Sequence, residues 1–358
     1  MSSPTHQQAI RFLPGGGPAA SSLELTTLPK PTPGPTDLLI QLRACAINPI
    51  DTKVRSGAFA SSSEITGFDG AGIVEALGSS VRGFDVGDEV YFCGALGRQG
   101  TNAQYALVEH RVVARKPRCL GWAEAACVPL VTLTAWELLE EHFGLVAQGA
   151  IGNDEARQTQ GGKSILIING AGGVGSAATQ LARRVFGLGR VVVTASRPET
   201  EEHVRRMGAT HVISHREDLK RQLKEKVGIE SVEYIFICHG TNPYMSVAVD
   251  VASPKGKIGS IVEVVGERLD GMHSMEAFMK QLSFHWEVVL SKPEYKYGLE
   301  SQGDILNRAA KLYDDGVLLS LMRESDVLSV QSLIKAHEKI ESGRTIGKIG
   351  LEIGESIQ

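Results

Sequence analysis

Aromatic residues are scarce in this chain of 358 residues, at 6%, and its five cysteines are an odd set with no C-x-x-C pair. That argues against a disulfide framework. Cys45, Cys93, Cys119, Cys127 and Cys238 are expected to behave as small buried hydrophobes in a reducing compartment. Basic residues do not outnumber acidic ones. The formal charge is -4, which leaves no basic excess to draw in nucleic acid or an anionic membrane. No apolar run approaches the roughly 18 residues of a membrane-spanning helix. Residues 1–11 lack the apolar stretch of a signal peptide, so a cytoplasmic location is expected. What is plentiful is glycine, 40 residues, on an ordinary globular background of 42% apolar residues. Single cores stop growing at roughly 250–300 residues, so a chain of this length is expected to form two domains.

The first third reads as β-rich. Residues 37–47 alternate, and residues 71–74, 88–92 and 105–108 are further short strands between turn clusters. Pro31, Pro33 and Pro35 make an extended entry segment. Residues 123–143 have helical periodicity broken at Pro129. Residues 148–162 are polar and glycine-rich and read as an exposed loop. Beyond them strands and helices alternate: 164–169, 176–186, 190–195, 199–207, 211–213, 218–227, 234–238, 244–251 and 257–262. That alternation predicts an α/β doubly wound parallel sheet. The tail, residues 306–353, reads as two helical stretches and a final strand.

Gly170-Ala171-Gly172-Gly173-Val174-Gly175 fits G-x-G-x-x-G, between an apolar strand and a helix, which is the context that makes the string specific. Gly170 permits the tight turn, Gly172 lets the backbone approach a pyrophosphate, and Gly175 lets helix and strand pack closely. The helix N-terminus offers unpaired N–H groups to phosphates. About twenty residues on, an acidic residue would bind the ribose 2′-hydroxyl of NAD. This chain has Thr194-Ala195-Ser196-Arg197 there. A hydroxyl and a guanidinium suit a 2′-phosphate, so NADPH is the expected cofactor, against the alternative that Arg197 is a solvated surface residue. His215, after the third strand, would stack on the adenine or touch the same phosphate.

At this point the chain resembles the medium-chain dehydrogenase/reductase superfamily, and within it the zinc-free quinone oxidoreductase and enoyl reductase branch. The carriers are Ala46-Ile47-Asn48-Pro49-Ile50-Asp51-Thr52-Lys53, Gly67-Phe68-Asp69-Gly70-Ala71-Gly72, Val86-Gly87-Asp88-Glu89-Val90, Leu133-Thr134-Ala135-Trp136-Glu137, the glycine loop, and Gly347-Lys348-Ile349. The resemblance covers nearly the whole chain. It extends to proteins labelled zinc-type alcohol dehydrogenase-like and, through residues 148–162, to fungal trans-acting enoyl reductases. It implies a GroES-like catalytic domain over residues 1–130, completed by residues 300–358, and a Rossmann dinucleotide-binding domain over residues 131–299. It also implies that Asp51, Thr52, Gly347 and Lys348 lie at the cofactor.

Zinc-dependent members bind a catalytic zinc through a cysteine, a histidine and a second cysteine. Asn48 stands where the first cysteine would fall and Phe68 where the histidine would, and around residues 91–116 only Cys93 remains of a structural zinc lobe. No metal site is therefore expected. Without a Lewis acid, alcohol oxidation is disfavoured, whereas hydride delivery to a quinone or an enone needs only hydrogen-bond donors at the oxygen that gains charge. The resemblance implies Asn48 as a donor to that oxygen and Lys53 as a donor to the enolate or a contact to a cofactor phosphate. Thr134 would face the nicotinamide ribose or carboxamide; Lys53 also reads as a solvent-facing lysine and Thr134 as a threonine bonding back to the preceding turn. Mitochondrial-type enoyl reductases use a tyrosine as proton donor where this chain has Phe59, which favours quinones and small enones over enoyl thioesters. Residues 283–287 are aromatic-rich and read as a pocket wall, as core, or as a homodimer contact. Three functions are set against one another: an NADPH-dependent reductase of a small-molecule quinone or enone, a trans-acting enoyl reductase partnered with a polyketide synthase, and a dinucleotide-binding protein without turnover.

Overall fold

The computed structural model describes residues 5–13, 17–147 and 159–357. The strands of the first third are β1 (His6–Phe12), β2 (Leu23–Pro29), β3 (Asp37–Ile47), β4 (Asp69–Leu77), β5 (Glu89–Cys93), β6 (Tyr105–Glu109) and β7 (Val113–Arg115). The middle of the chain supplies β8 (Ser164–Ile168), β9 (Arg190–Thr194), β10 (His211–Ile213), β11 (Val232–Ile237), β12 (Ala252–Ser260) and β13 (Ser283–Trp286). The last segment adds β14 (Met322–Val327) and β15 (Lys348–Glu352).

The chain divides into two compact units, Met1–Leu133 with Leu290–Gln358, and Thr134–Val289. The sequence boundaries at 130 and 300 thus move to 133 and 290. Residues 131–133 belong to a helix, Pro129–Glu137, which has no turn signal at its crossing from one unit to the other.

In the first unit a seven-stranded sheet runs β14-β15-β3-β4-β5-β7, with β6 also paired to β3. The sheet is organised on β3, eleven residues long, which pairs antiparallel with β4, β6 and β15. Ile40, Leu42, Val74, Val90, Phe92, Val108 and Leu351 pack in the core it covers. Gly72 is required where β4 crosses close to β3: a Cβ there would stand 2.2 Å from the Gln41 carbonyl oxygen. β14 escapes the sequence reading because Met322–Val327 is almost wholly exposed and shows no apolar alternation.

The second unit is a parallel sheet in the order β10-β9-β8-β11-β12-β13. Renumbered within the unit this is 3-2-1-4-5-6, so the order reverses at the first strand, and dinucleotides bind beyond the carboxyl ends of the strands at such a reversal. β8 is buried at every position and β9 and β11 nearly so, as strands covered by helices on both faces must be. β13 is the outer strand. Phe284 packs against the core and meets Trp286 edge to face at 4.7 Å between ring centroids, while Trp286 is 40% exposed, so one stretch is both core and surface. Of the predicted loop, residues 148–158 lie outside the described residues. Thr159–Gly161 is helical, with the Gln160 amide bonded to Val146 and to the Phe186 carbonyl. No helix among the described residues is long and apolar enough to cross a membrane.

Candidate active site

In the second unit the glycine loop leaves the carboxyl end of β8 through Asn169, which holds a left-handed backbone at φ 60° and donates its N–H to Thr194 Oγ1 at 2.8 Å. The loop glycines then divide by what surrounds them. A Cβ on Gly170 would lie 2.1 Å from Val193 Cγ1, and one on Gly175 would lie 2.5 Å from Gly170 Cα, so both are glycine because protein fills the space. A Cβ on Gly172 would meet nothing within 4 Å. Gly172 caps the helix Gly173–Gln180, which continues as a π-helical turn over Leu181–Val185. The space it leaves open faces a helix N-terminus, where an anion is favoured. The Nδ2 of Asn169 is buried without a hydrogen-bond partner. An open cradle and an orphaned donor at the same loop fit a dinucleotide pyrophosphate, with Gly170, Ala171, Gly172, Gly173, Val174 and Gly175 as the residues that would hold it.

The ends of β9 and β10 carry the predicted ribose residues. Ser196 Oγ and His215 Nε2 lie 3.3 Å apart, and Arg197 Nε is 3.2 Å from Glu199 at the start of the helix Pro198–Met207. His215 titrates below the ordinary histidine range, first because it is partly buried and then because Arg216, Arg197 and His239 surround it with positive charge. Sequence reading missed Arg216 and His239. Arg216 adjoins His215 in the chain, but His239 reaches this edge only because β11 lies beside β8 in the sheet. It also missed the buried Ser176–His203 bond of 2.7 Å, which ties the glycine-loop helix to the helix Pro198–Met207. Also missed is the Thr241–Ser260 hydroxyl pair, 2.7 Å apart, past the end of β11 and at the end of β12. Thr134 is buried within the helix Pro129–Glu137 of this region.

In the first unit the structure brings Asn48, Asp51 and Lys348 together around Asp69. Asn48 caps the helix Pro49–Arg55, and its N–H donates to Asp51 Oδ2 at 2.7 Å. The other oxygen of Asp51 accepts the Gly67 N–H at 2.9 Å. Antiparallel pairing of Ile349 with Ile47 sets Lys348 beside Asn48. Its Nζ donates to the Asn48 Oδ1, to the Ile47 carbonyl at 2.9 Å and to Asp69 Oδ2 at 3.1 Å. The Asn48 Nδ2 donates to Asp69 Oδ2 at 2.8 Å and less closely to the Ala46 carbonyl. Leu130 donates its N–H to the remaining Asp69 oxygen at 2.7 Å. Burial pushes Asp51 up to about 7 and raises Asp69 as well, against the opposing pull of Lys348. Every polar atom of the Asn48 side chain is committed inside the fold, as are those of Asp51 and Lys348. The Thr52 hydroxyl bonds back to the Pro49 carbonyl at 2.9 Å. Gly347 has φ 58°, and a Cβ there would press on the Leu321 carbonyl oxygen at 2.5 Å. Lys53, on the same short helix as Asp51, is half-buried. Phe68 is buried, and among the described residues no group of three or more histidine, cysteine or acidic side chains is placed to hold a metal ion.

Comparison with known proteins matches residues 34–118 to the alcohol dehydrogenase GroES-like domain and residues 173–300 to the zinc-binding dehydrogenase family. A zinc-type alcohol dehydrogenase-like protein of Staphylococcus aureus is 37% identical over 326 residues, 90% of this chain and 93% of that one. The 2-methylene-furan-3-one reductase of Solanum lycopersicum is 30% identical, over 87% of this chain and 70% of its own length. The chloroplastic NADPH-dependent alkenal/one oxidoreductase of Arabidopsis thaliana is 29% identical, with coverages of 87% and 71%. Among solved structures, a putative zinc-dependent alcohol dehydrogenase from Rhizobium etli superposes with a TM-score of 0.86 at 34% identity, covering 99% of this chain and 100% of that one.

Proposed function

The chain belongs to the medium-chain dehydrogenase/reductase superfamily of oxidoreductases, and from that premise we propose that it is an NADPH-dependent reductase that transfers hydride to a quinone or an α,β-unsaturated carbonyl without zinc. The observation that carries the reading is the rim of the dinucleotide site. Beyond β9 stand Arg197 and Ser196, the latter 3.3 Å from His215, and the carboxylate of Glu199 is held by Arg197. The reductases from tomato and Arabidopsis support the substrate class. Phe68, and an Asn48 whose amide is fully engaged, offer no ligand set for a catalytic zinc.

NADPH, when bound, supplies the hydride. The N–H groups of the glycine loop and of its helix would hold the pyrophosphate, and Ser196 and Arg197 would hold the 2′-phosphate. Thr134 would orient the nicotinamide, and Lys53 would serve as a hydrogen-bond donor to an oxygen that gains charge. Asn48, Asp51, Asp69 and Lys348 act as positioning residues: their buried bonds fix the start of the helix that carries Lys53.

The purified protein should oxidise NADPH with a panel of quinones and small enones, and a chelator should leave that rate unchanged. Activity confined to simple alcohols with NAD, and lost on chelation, would overturn the reading.

A further inference from the structure

The cation set at the second and third strands is larger than recognition of one phosphate by one arginine requires, and its least ordinary member is His215. This residue follows β10, is half-buried, and faces Ser196 through Nε2 at 3.3 Å, while its Nδ1 is buried with no hydrogen-bond partner. The basic groups around it come from three places. Arg197 approaches from the turn after β9, where Glu199 is drawn to it at 3.2 Å. His239 approaches from the end of β11, and Arg216 is the next residue in the chain. The two acids of that same turn face elsewhere. Glu217 lies 3.8 Å from Arg221 and 3.7 Å from Lys226, and Asp218 caps the helix Leu219–Gln222 by accepting the Arg221 N–H at 2.6 Å. The imidazole therefore sits beside two guanidiniums and a second imidazole, and among the described residues no carboxylate contributes to its electrostatics. Burial and those cations hold its pKa below the ordinary value, so near neutral pH the ring is uncharged.

A 2′-phosphate reverses that balance. It brings nearly two negative charges to the one spot where the protein has gathered cations and left the ring neutral. We propose that His215 takes up a proton from solvent when NADPH binds, so that the choice of NADPH over NADH depends on pH through this residue. In the cation both ring nitrogens donate. Nε2–H then donates to Ser196 Oγ, which turns its own hydrogen toward the phosphate. One proton is gained by the ring and none is lost by the ligand. NADH, with a bare 2′-hydroxyl, provides no charge to favour the uptake.

The proposal rests on the NADPH reading above, and the experiment separates the two. Dissociation constants for NADPH and NADH are measured from pH 6.5 to 8.5, above the protonation of the phosphate itself at about pH 6. Calorimetric titrations in buffers of different ionisation enthalpy count the protons taken up. One linked proton changes affinity by at most about tenfold per pH unit. The preference for NADPH should therefore fall by roughly tenfold across the range, with proton uptake on binding NADPH and none on binding NADH. His215→Gln should keep a preference for NADPH, through Arg197, but lose both its slope and the uptake. A preference that is steady across the range, without proton uptake, overturns the proposal while leaving NADPH as the cofactor. A slope that survives in His215→Gln also overturns it, by placing the proton elsewhere. Equal affinity for the two cofactors at every pH overturns the NADPH reading and the proposal together.

Discussion

Glycines that look alike in sequence differ by what lies beyond their Cα. Gly172→Val places methyls in open space that the proposed pyrophosphate needs, so the variant should fold and melt near wild type yet lose most affinity for NADPH in a fluorescence titration. Gly175→Ala should do the reverse. Its Cβ would press on Gly170 at 2.5 Å, and a fall of several degrees in melting temperature should accompany weaker binding. Equal loss of stability in both variants would mean that Gly172 serves packing only. Arg197 is the second residue on which the reading turns. A charged hydrogen bond to phosphate contributes roughly 1.5–3 kcal/mol, or about one to two powers of ten in affinity. Arg197→Ala should weaken NADPH by that factor and leave NADH nearly unchanged. Equal weakening of both would show that Arg197 supports the fold and does not read the phosphate.

Among elements, the pairing of β15 with β3 has the largest local consequence. It sets Lys348 against Asp69 in a site where the lysine side chain is 4% exposed and the aspartate 0%. Such a pair adds little stability over an apolar replacement of both groups, but removing one partner strands a buried charge at a cost of about 3–5 kcal/mol. Lys348→Met should lower stability by that amount in urea denaturation, and Lys348→Met with Asp69→Asn should recover part of it. A single variant within about 0.5 kcal/mol of wild type, the range of an ordinary surface change, would show that water reaches the cluster. The motif Gly347-Lys348-Ile349 was legible in sequence as a likeness to other proteins. Its contact with Asn48 was not, because 300 residues separate the two and only the strand register joins them.

Across the whole molecule two buried groups oppose each other as the pH falls. His337 is fully buried, and Arg55 donates to its Nδ1 at 3.2 Å, which makes that nitrogen the acceptor and leaves the proton on Nε2. Burial, then the Arg55 charge, lowers its pKa to about 3. The folded pKa lies below the unfolded one, so stability present above about pH 6.5 is lost as the pH falls toward 3. Asp51, pushed up to about 7, works the other way: the folded state holds a proton that the unfolded state has released, and stability is gained as the pH falls from 7 toward 4. His337→Gln removes the first effect. Relative to wild type it should gain about 2 kcal/mol at pH 5 compared with pH 7, read from denaturant midpoints at the two pH values. Parallel stability profiles for the two proteins would show that His337 charges freely in the native state.

From the sequence alone came the α/β class, the glycine loop with its strand and helix, and the side chains at the end of β9. These are local matters: a run buried on both faces, a helix start, and a turn that only glycine can make are each written within a few neighbouring residues. The tertiary structure alone decided which partners those residues meet. It gave the amide of Asn48 to Lys348 and Asp69, and it brought His239 near His215. It also made a strand of residues 322–327, which have no alternating pattern and are held by pairing with β15. The physical reason is that strand order and register depend on how whole sheets bury their apolar faces, a sum over many distant residues. The charge and hydrogen-bond partners at a site follow from that sum and from no short stretch of the chain.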